Sequence, residues 1–190
     1  MRGIIGVTGS PGTGKKSVSP LVAAALHLEC LGVNDLAREL GLLGRGAGDV
    51  DVDLLRDRIP KRVHGPALLY GHLVPYVLDR RSVRKVVVLR CAPEVLKERL
   101  GRRGYPAKKA EENVEAELIG VVSADAFGAF GSAKTFEFDT THSSPSEAAG
   151  RIAKLVRTGR PAPRIDWTLD YDSGAKLRSL LSPGSRPSPG

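Results

Sequence analysis

A short apolar run, Gly3-Ile4-Ile5-Gly6-Val7-Thr8, passes directly into Gly9-Ser10-Pro11-Gly12-Thr13-Gly14-Lys15-Lys16-Ser17. The run reads as a buried strand. The stretch from Val18 to His27 reads as a helix, and Pro20 confines its start to the neighbourhood of Ser17 or Ser19, since proline is tolerated in a first turn. Strand, glycine turn and helix in that order form the front of a βαβ unit and commit the chain to an α/β architecture. The Gly9-x4-Gly14-Lys15 spacing is that of a loop that wraps a polyphosphate. The glycines let successive amides converge on one phosphate, the following helix adds its positive end, and Lys15 reaches the outer oxygens as a point charge.

The rest of the chain supplies matching parts. Ala67-Leu68-Leu69-Tyr70 and Val86-Val87-Val88-Leu89 read as strands buried on both faces. Glu29 to Val33 reads as another strand and Thr135-Phe136-Glu137-Phe138 as a last one. Helices are expected at Asn34 to Leu40, at Glu94 to Arg102 with Pro93 in its first turn, at Ala110 to Phe127, and at Ser144 to Arg157 with Ser144 or Ser146 as cap. Gly41 to Asp53 is glycine-rich and acidic, as a mobile loop or small lid would be. After Thr158 the composition changes, and five of the 13 prolines lie beyond residue 160. A tail disordered at its terminus is expected there, with a short helix from Ser173 to Leu181.

Charge and cysteine content narrow the chemistry. Lys plus Arg at 29 against Asp plus Glu at 21 give a net charge of +8, which favours polyanionic partners such as nucleotides, RNA or a ribonucleoprotein. Cys30 and Cys91 stand far apart with no CxxC pair, which argues against a zinc site or a disulfide framework and fits a reducing cytoplasm. The longest early apolar stretch, Ile4 to Val7, is too short to span a bilayer, so no membrane association is expected. The chain has no Gln, two Asn and one Met, the economy of thermolabile residues that a thermophilic source would show. Arg80, Arg81, Arg84 and Lys85 read as a solvated turn or as an RNA or protein contact. Phe127, Phe130, Phe136 and Phe138 are expected in the core.

Several stretches fit one template: the phosphate loop, Asn34-Asp35-Leu36-Ala37-Arg38-Glu39, Gly71-His72, Val88-Leu89-Arg90, and Glu98-Arg99-Leu100-x-x-Arg103-Gly104-Tyr105-x-x-x-Lys109-x-x-Glu112-Asn113-x-x-Ala116-Glu117. With them the chain resembles the small adenylate-kinase-like nucleoside monophosphate kinases of archaea, whose eukaryotic relatives include the coilin-interacting nuclear ATPase. The resemblance implies a three-layer α/β P-loop nucleoside monophosphate kinase fold with about five parallel strands over residues 1–157. An NMP-binding region would lie near 34–60 and a lid near 101–110, with a Pro/Arg/Ser-rich tail at 158–190. It implies ATP + AMP exchange to two ADP, a side ATPase activity, and a role in small ribosomal subunit maturation beside a ribosomal protein of the subunit platform, with rRNA as a further contact. Carried over by position, Gly12, Thr13, Gly14, Lys15, Lys16 and Ser17 would hold the ATP phosphates. Asp35, Arg38, Gly71 and His72 would serve the NMP side, and Arg103 would act from the lid. Thr140 and Thr141 would line the adenine, or else Asp139-Thr140 forms a helix-capping turn. Lys15, His72 and Arg103 would carry the chemistry, because phosphoryl transfer is mainly positioning and charge stabilisation.

Two positions depart from the family pattern. Lys16 stands where a Ser or Thr hydroxyl would hold Mg²⁺, and Tyr70 stands where an acidic residue would lie two before His72. Ser17 is no simple substitute, since one residue along a helix rotates the side chain by about 100°. Either the helix start is re-registered, or the metal loses a direct ligand, or water fills the place. The two changes compensate in sign, so Lys16 is expected to replace part of a weakly held Mg²⁺, and no metal is assigned to protein side chains. The rival expectation is an ATP-binding assembly factor in which catalysis has decayed.

Overall fold

The computed structural model describes residues 3–42, 50–160, 163–171 and 180. Strand β1 (Ile4–Thr8) is buried along its whole length and sits at the centre of a five-stranded sheet. Helix α1 (Lys15–Leu26) leads to β2 (Glu29–Gly32), α2 (Val33–Glu39), α3 (Val52–Arg62) and β3 (Ala67–Tyr70). Then follow α4 (Val74–Val77), β4 (Val83–Arg90), α5 (Pro93–Arg102), α6 (Ala107–Leu118), α7 (Val121–Phe130), β5 (Thr135–Asp139) and α8 (Pro145–Thr158). The strand order is β2-β3-β1-β4-β5 and every pairing is parallel, which bears out the expected five-stranded parallel sheet.

A parallel sheet must be covered on both faces, and alternation along β1 shows how. Ile5 and Val7 point to a layer made by α1 and α8, where Val18, Val22 and Leu26 meet Ile152 and Val156. Ile4 points to the opposite layer with Leu36, Leu55, Ile59, Val74, Ala126 and Phe130. A third cluster joins Leu96 and Leu100 of α5 to Val114 and Leu118 of α6, and takes in Tyr171 and Leu180 from beyond α8.

Several elements differ from expectation. Helix α1 begins at Lys15, not near Ser17, and Pro20 lies inside it. The glycine loop sets the first turn, so proline's missing N–H costs one interior bond. Helix α3 was not foreseen, although Asp51 caps it by accepting from the Leu54 amide at 2.9 Å and Leu55 and Ile59 are buried one turn apart. The expected loop at Gly41 to Asp53 lies outside the described residues over 43–49. The helix expected from Ala110 to Phe127 is two helices, α6 and α7, broken at Gly120 (φ +70°). Phe127 is half-buried with the Arg164 guanidinium 4.0 Å over its ring, whereas Phe130, Phe136 and Phe138 are buried as expected. Arg80 and Arg81 are exposed, while Lys85 lies 4.6 Å over the Phe136 ring. Ser144 caps α8 in a reciprocal pair with Glu147.

The break at Gly120 serves a buried ion cluster that periodicity could not reveal. Arg90, at the end of β4, donates to Glu117 Oε1 at 2.7 Å and to Glu137 Oε1 at 2.6 Å. Its remaining N–H groups reach the Glu117 carbonyl at 2.9 Å and the Ile165 carbonyl at 3.0 Å. Residues 163–171, beyond the end of α8, are thus tied to the core through Ile165. Of the expected tail, residues 172–179 and 181–190, including the helix from Ser173 to Leu181 except for Leu180, lie outside the described residues.

Removing one member of a buried ion cluster leaves the others uncompensated, at a cost of about 3–5 kcal/mol. Arg90→Met is expected to lower unfolding free energy in urea by about that amount. A loss below about 1 kcal/mol would show that Glu117 and Glu137 take up protons or water instead.

Candidate active site

The turn from β1 to α1 is made by glycines because no other residue fits. Gly9, Gly12 and Gly14 have φ of +142°, +92° and +99°. A Cβ at Gly9 would stand 2.3 Å from the Leu89 carbonyl oxygen, and one at Gly12 would stand 2.6 Å from Leu96 Cδ1. Thr13 closes the turn, its amide and hydroxyl both donating to the Ser10 carbonyl at 3.2 and 2.9 Å. Gly14 caps α1 with no side-chain acceptor, so no side chain occupies the helix start, and the Ser17 amide donates to the Gly14 carbonyl at 3.0 Å. That arrangement suits an anion at a helix start.

Lys15 Nζ donates to the carbonyls of Gly9 and Ser10 at 2.6 and 2.9 Å. Burial lowers its pKa to about 8, Glu117 works against that shift, and the Arg103 guanidinium adds to it. The ammonium therefore gives up its proton more readily than that of a solvated lysine.

One cleft of about 330 Å³ brings together Gly12, Gly14, Lys15, Lys16, Asp35, Arg38, Tyr70, Gly71, His72 and Arg103. Residues assigned from separate stretches of sequence therefore share one space. Tyr105, Asn34 and Gly32 join them. Across the loop a second recess of about 260 Å³ is lined by Gly12, Thr13, Gly14, Ser17, Arg99, Arg103 and Thr140. Arg103 faces both. Thr141 does not line this recess: its hydroxyl bonds to Asp139 and accepts from the Ala92 amide at 2.9 Å. Asp139 accepts from the Thr141 amide at 2.8 Å in a local turn, while the cap of α8 is Ser144. Arg99, absent from the expected set, donates to the carbonyls of Thr140 and Thr141 at 2.9 and 3.0 Å and fixes that turn. Its only sequence signal was its place in Glu98-Arg99-Leu100.

On the far side of the cleft Asp35 pairs with Arg38 at 2.8 Å, both side chains well exposed. Such a pair is worth little, so Arg38 can turn to an incoming anion. Gly32 lets Asp35 and Tyr70 approach, because a Cβ there would lie 2.4 Å from Asp35 Oδ2 and 3.1 Å from the Tyr70 hydroxyl. Burial, then the Asp35 charge, raises the Tyr70 pKa, whereas burial and Lys15 hold His72 below the usual imidazole range.

The side chains of the cleft do not fit a magnesium ion. A small hard cation wants oxygen donors in octahedral array. The position after Lys15 carries the Lys16 ammonium and β3 ends in the Tyr70 phenol, so Asp35 is the one carboxylate among the residues lining the cleft. Among the described residues no group of three or more His, Cys, Asp or Glu could hold a metal ion.

An all-parallel sheet whose central strand empties into a glycine cradle at a helix start defines the P-loop nucleoside monophosphate kinase fold. The comparisons agree. A family model described as "AAA domain" matches residues 5–120. A Thermococcus kodakarensis protein named "Putative adenylate kinase" is 36% identical over 174 residues, covering 89% of this chain and 95% of its own. A Natronomonas pharaonis protein of the same name is 38% identical over 170 residues, covering 88% and 96%. Among solved structures, shikimate kinase from Acinetobacter baumannii in complex with shikimate superposes with TM-score 0.60 at 16% identity, over 83% of this chain and 94% of that one. Shikimate kinase from Bacteroides thetaiotaomicron gives 0.61 at 18% identity, over 83% and 99%. The chain belongs to the archaeal adenylate-kinase-like nucleoside monophosphate kinase family. No helix among the described residues is long and apolar enough to cross a membrane.

A polyphosphate beside Lys15 would favour its charged form and raise its pKa, so nucleotide uptake binds a proton above pH 8. ATP affinity is therefore expected to hold steady below about pH 8 and to fall as pH rises through that value, approaching tenfold per unit. Calorimetric titration between pH 6.5 and 9.5 measures this, and a flat affinity would remove Lys15 from the phosphate contacts.

Proposed function

We propose that the chain is an adenylate kinase, transferring the γ-phosphoryl group of ATP to AMP to give two ADP. The observation that carries this reading is the single cleft shared by the phosphate loop and by Asp35, Arg38, His72 and Arg103. ATP phosphates lie on the amides of Gly12 to Ser17 with Lys15 on their outer oxygens. Thr140 flanks the adenosine side, and Arg99 holds its turn. Arg38 takes the AMP phosphate, Asp35 and Gly71 flank it, and His72 stands neutral at the carboxyl end of β3. Arg103, facing both recesses, stabilises charge as the phosphoryl group passes between them. The stretch near 34–60 is the NMP-binding region and that near 101–110 the lid.

Lys16 takes over part of the charge that a metal ion would neutralise. A triphosphate carries about −4, and an added ammonium beside Lys15 offsets one of these charges. An ammonium cannot bridge two oxygens with fixed geometry, so turnover is slower than in a site with hydroxyl and carboxylate ligands. The same observation favours a second reading, an ATP-binding assembly factor with little kinase flux and with hydrolysis that needs no AMP.

ADP formation from ATP with and without AMP, followed by chromatography, separates the two. AMP-dependent ADP formation supports the kinase, and AMP-independent phosphate release alone supports the assembly factor. Lys15→Ala is expected to lower activity at least about 10²-fold. Lys16→Thr with Tyr70→Asp is expected to raise magnesium-dependent ADP formation, and no gain from the pair would overturn the charge-replacement account.

A further inference from the structure

The phosphate loop is fastened from beneath at one side chain. The Ser10 hydroxyl donates to Glu117 Oε2 at 2.6 Å, across 107 positions of sequence. The Ser10 carbonyl in turn accepts from the Thr13 amide, the Thr13 hydroxyl and Lys15 Nζ. A displacement of the Ser10 backbone would therefore move three of the loop's own contacts together. Ser10, Arg90 and Glu117 are each no more than 2% exposed, so no water competes for these bonds.

The other carboxylate oxygen is held with equal care. Glu117 Oε1 accepts from Arg90 Nε at 2.7 Å, from the Cys91 amide at 3.1 Å and from the Trp167 indole N–H at 3.3 Å. Trp167 belongs to the segment 163–171 that crosses back over the core after α8. Ile165 of that segment donates its amide to Glu137 Oε2 at 2.6 Å and accepts from Arg90 at 3.0 Å. Every charged member of the cluster is thus touched by this strap. The cluster holds two carboxylates and one guanidinium.

We propose that Glu117 is a positioning residue for phosphoryl transfer, fixing the phosphate loop through Ser10, and that the strap at 163–171 holds Glu117 in place so that nucleotide binding and strap docking are coupled. The proposal rests on the nucleotide-kinase reading above. A full negative charge behind the loop opposes a polyphosphate electrostatically, so attraction is not what it supplies. What it supplies is a fixed acceptor for the Ser10 hydroxyl and support for the charged form of Lys15. The groups that face Lys15 are Glu117 from α6, Arg103 after α5 and His72 after β3, with Lys16 beside it on α1. Of these, only Glu117 carries negative charge. Coupling is reciprocal: whatever the strap contributes to the loop, bound nucleotide returns to the strap.

The chain contains a single tryptophan, so Trp167 emission reports on the strap in the full-length protein. ATP is expected to change that emission in the wild type. Glu117→Gln, which keeps the shape and removes the charge, is expected to lower kcat/KM for ADP formation about tenfold, the size of one charged hydrogen bond. It should also move the alkaline limb of the pH profile to lower pH and abolish the emission change. Ser10→Ala, which leaves the buried charges intact, is expected to give a loss of similar size, with the double variant no worse than the worse single. Wild-type kinetics and pH limb in folded Ser10→Ala, or in Glu117→Gln where it folds, would overturn the proposal even if melting temperature falls. So would an emission change that survives in either. Loss of ATP binding in Lys15→Ala, with those variants unchanged, would sink this inference alone. Unimpaired ATP binding in Lys15→Ala would sink the kinase reading first.

Discussion

Main-chain amides can surround a phosphate only where the backbone turns through a conformation that a Cβ forbids. Between Gly9 and Gly14 the chain does this three times while pressed against the Leu89 carbonyl on one side and Leu96 on the other. Much else follows from that turn. Helix α1 must start just after Gly14 whatever Pro20 prefers, because the turn delivers the chain there already pointing along the helix axis. Strand β1 must lie inside the sheet, since β4 supplies Leu89 beneath the loop and β3 supplies the far wall of the cleft. The close approach of α5 through Leu96 and Leu100 likewise places the stretch that ends in Arg103 over the phosphate position.

The Arg90–Glu117–Glu137 cluster has a different physical character. Burying three charges is costly, and a well-packed apolar trio is often as stable or more so. Stability alone therefore does not account for such a cluster behind a phosphate loop. Its geometry does: the oxygens and N–H groups find their partners on β4, α6, β5, the loop and the strap, which thereby share one fixed point. The helix break at Gly120 belongs to the same arrangement, for it ends α6 where the Glu117 carbonyl meets the Arg90 guanidinium.

The cleft itself is strongly cationic. Lys15, Lys16, Arg38 and Arg103 line it against Asp35 alone. Where a hydroxyl and a carboxylate would serve a divalent ion, there stand an ammonium and a phenol. Both residues leave the cleft more positive than a hydroxyl and a carboxylate would. An ammonium is strongly hydrated and mobile on its stem, so what it supplies is charge and not geometry.

The phosphate loop, the parallel strands and the residues of the cleft were legible in sequence, because each rests on local chemistry. Glycine is required at positive φ, apolar runs of four or five mark buried strands, and Ser144 with Glu147 marks a helix start. Helix α3 was missed although its cap at Asp51 was equally local, masked by the glycine-rich stretch before it and by Pro60. The single long helix expected from Ala110 failed at Gly120, where the backbone takes the left-handed φ of +70° that favours glycine. Nothing near Glu117 in sequence tells that its carboxylate meets Ser10, and nothing in a proline-rich tail tells that Trp167 and Ile165 dock on the same charges. Sequence alone determined which residue types could bind a phosphate and where the strands lie, since those depend on neighbours along the chain. Only the tertiary structure decided which distant charges are buried together, because desolvation depends on everything packed around a group and not on its place in the chain.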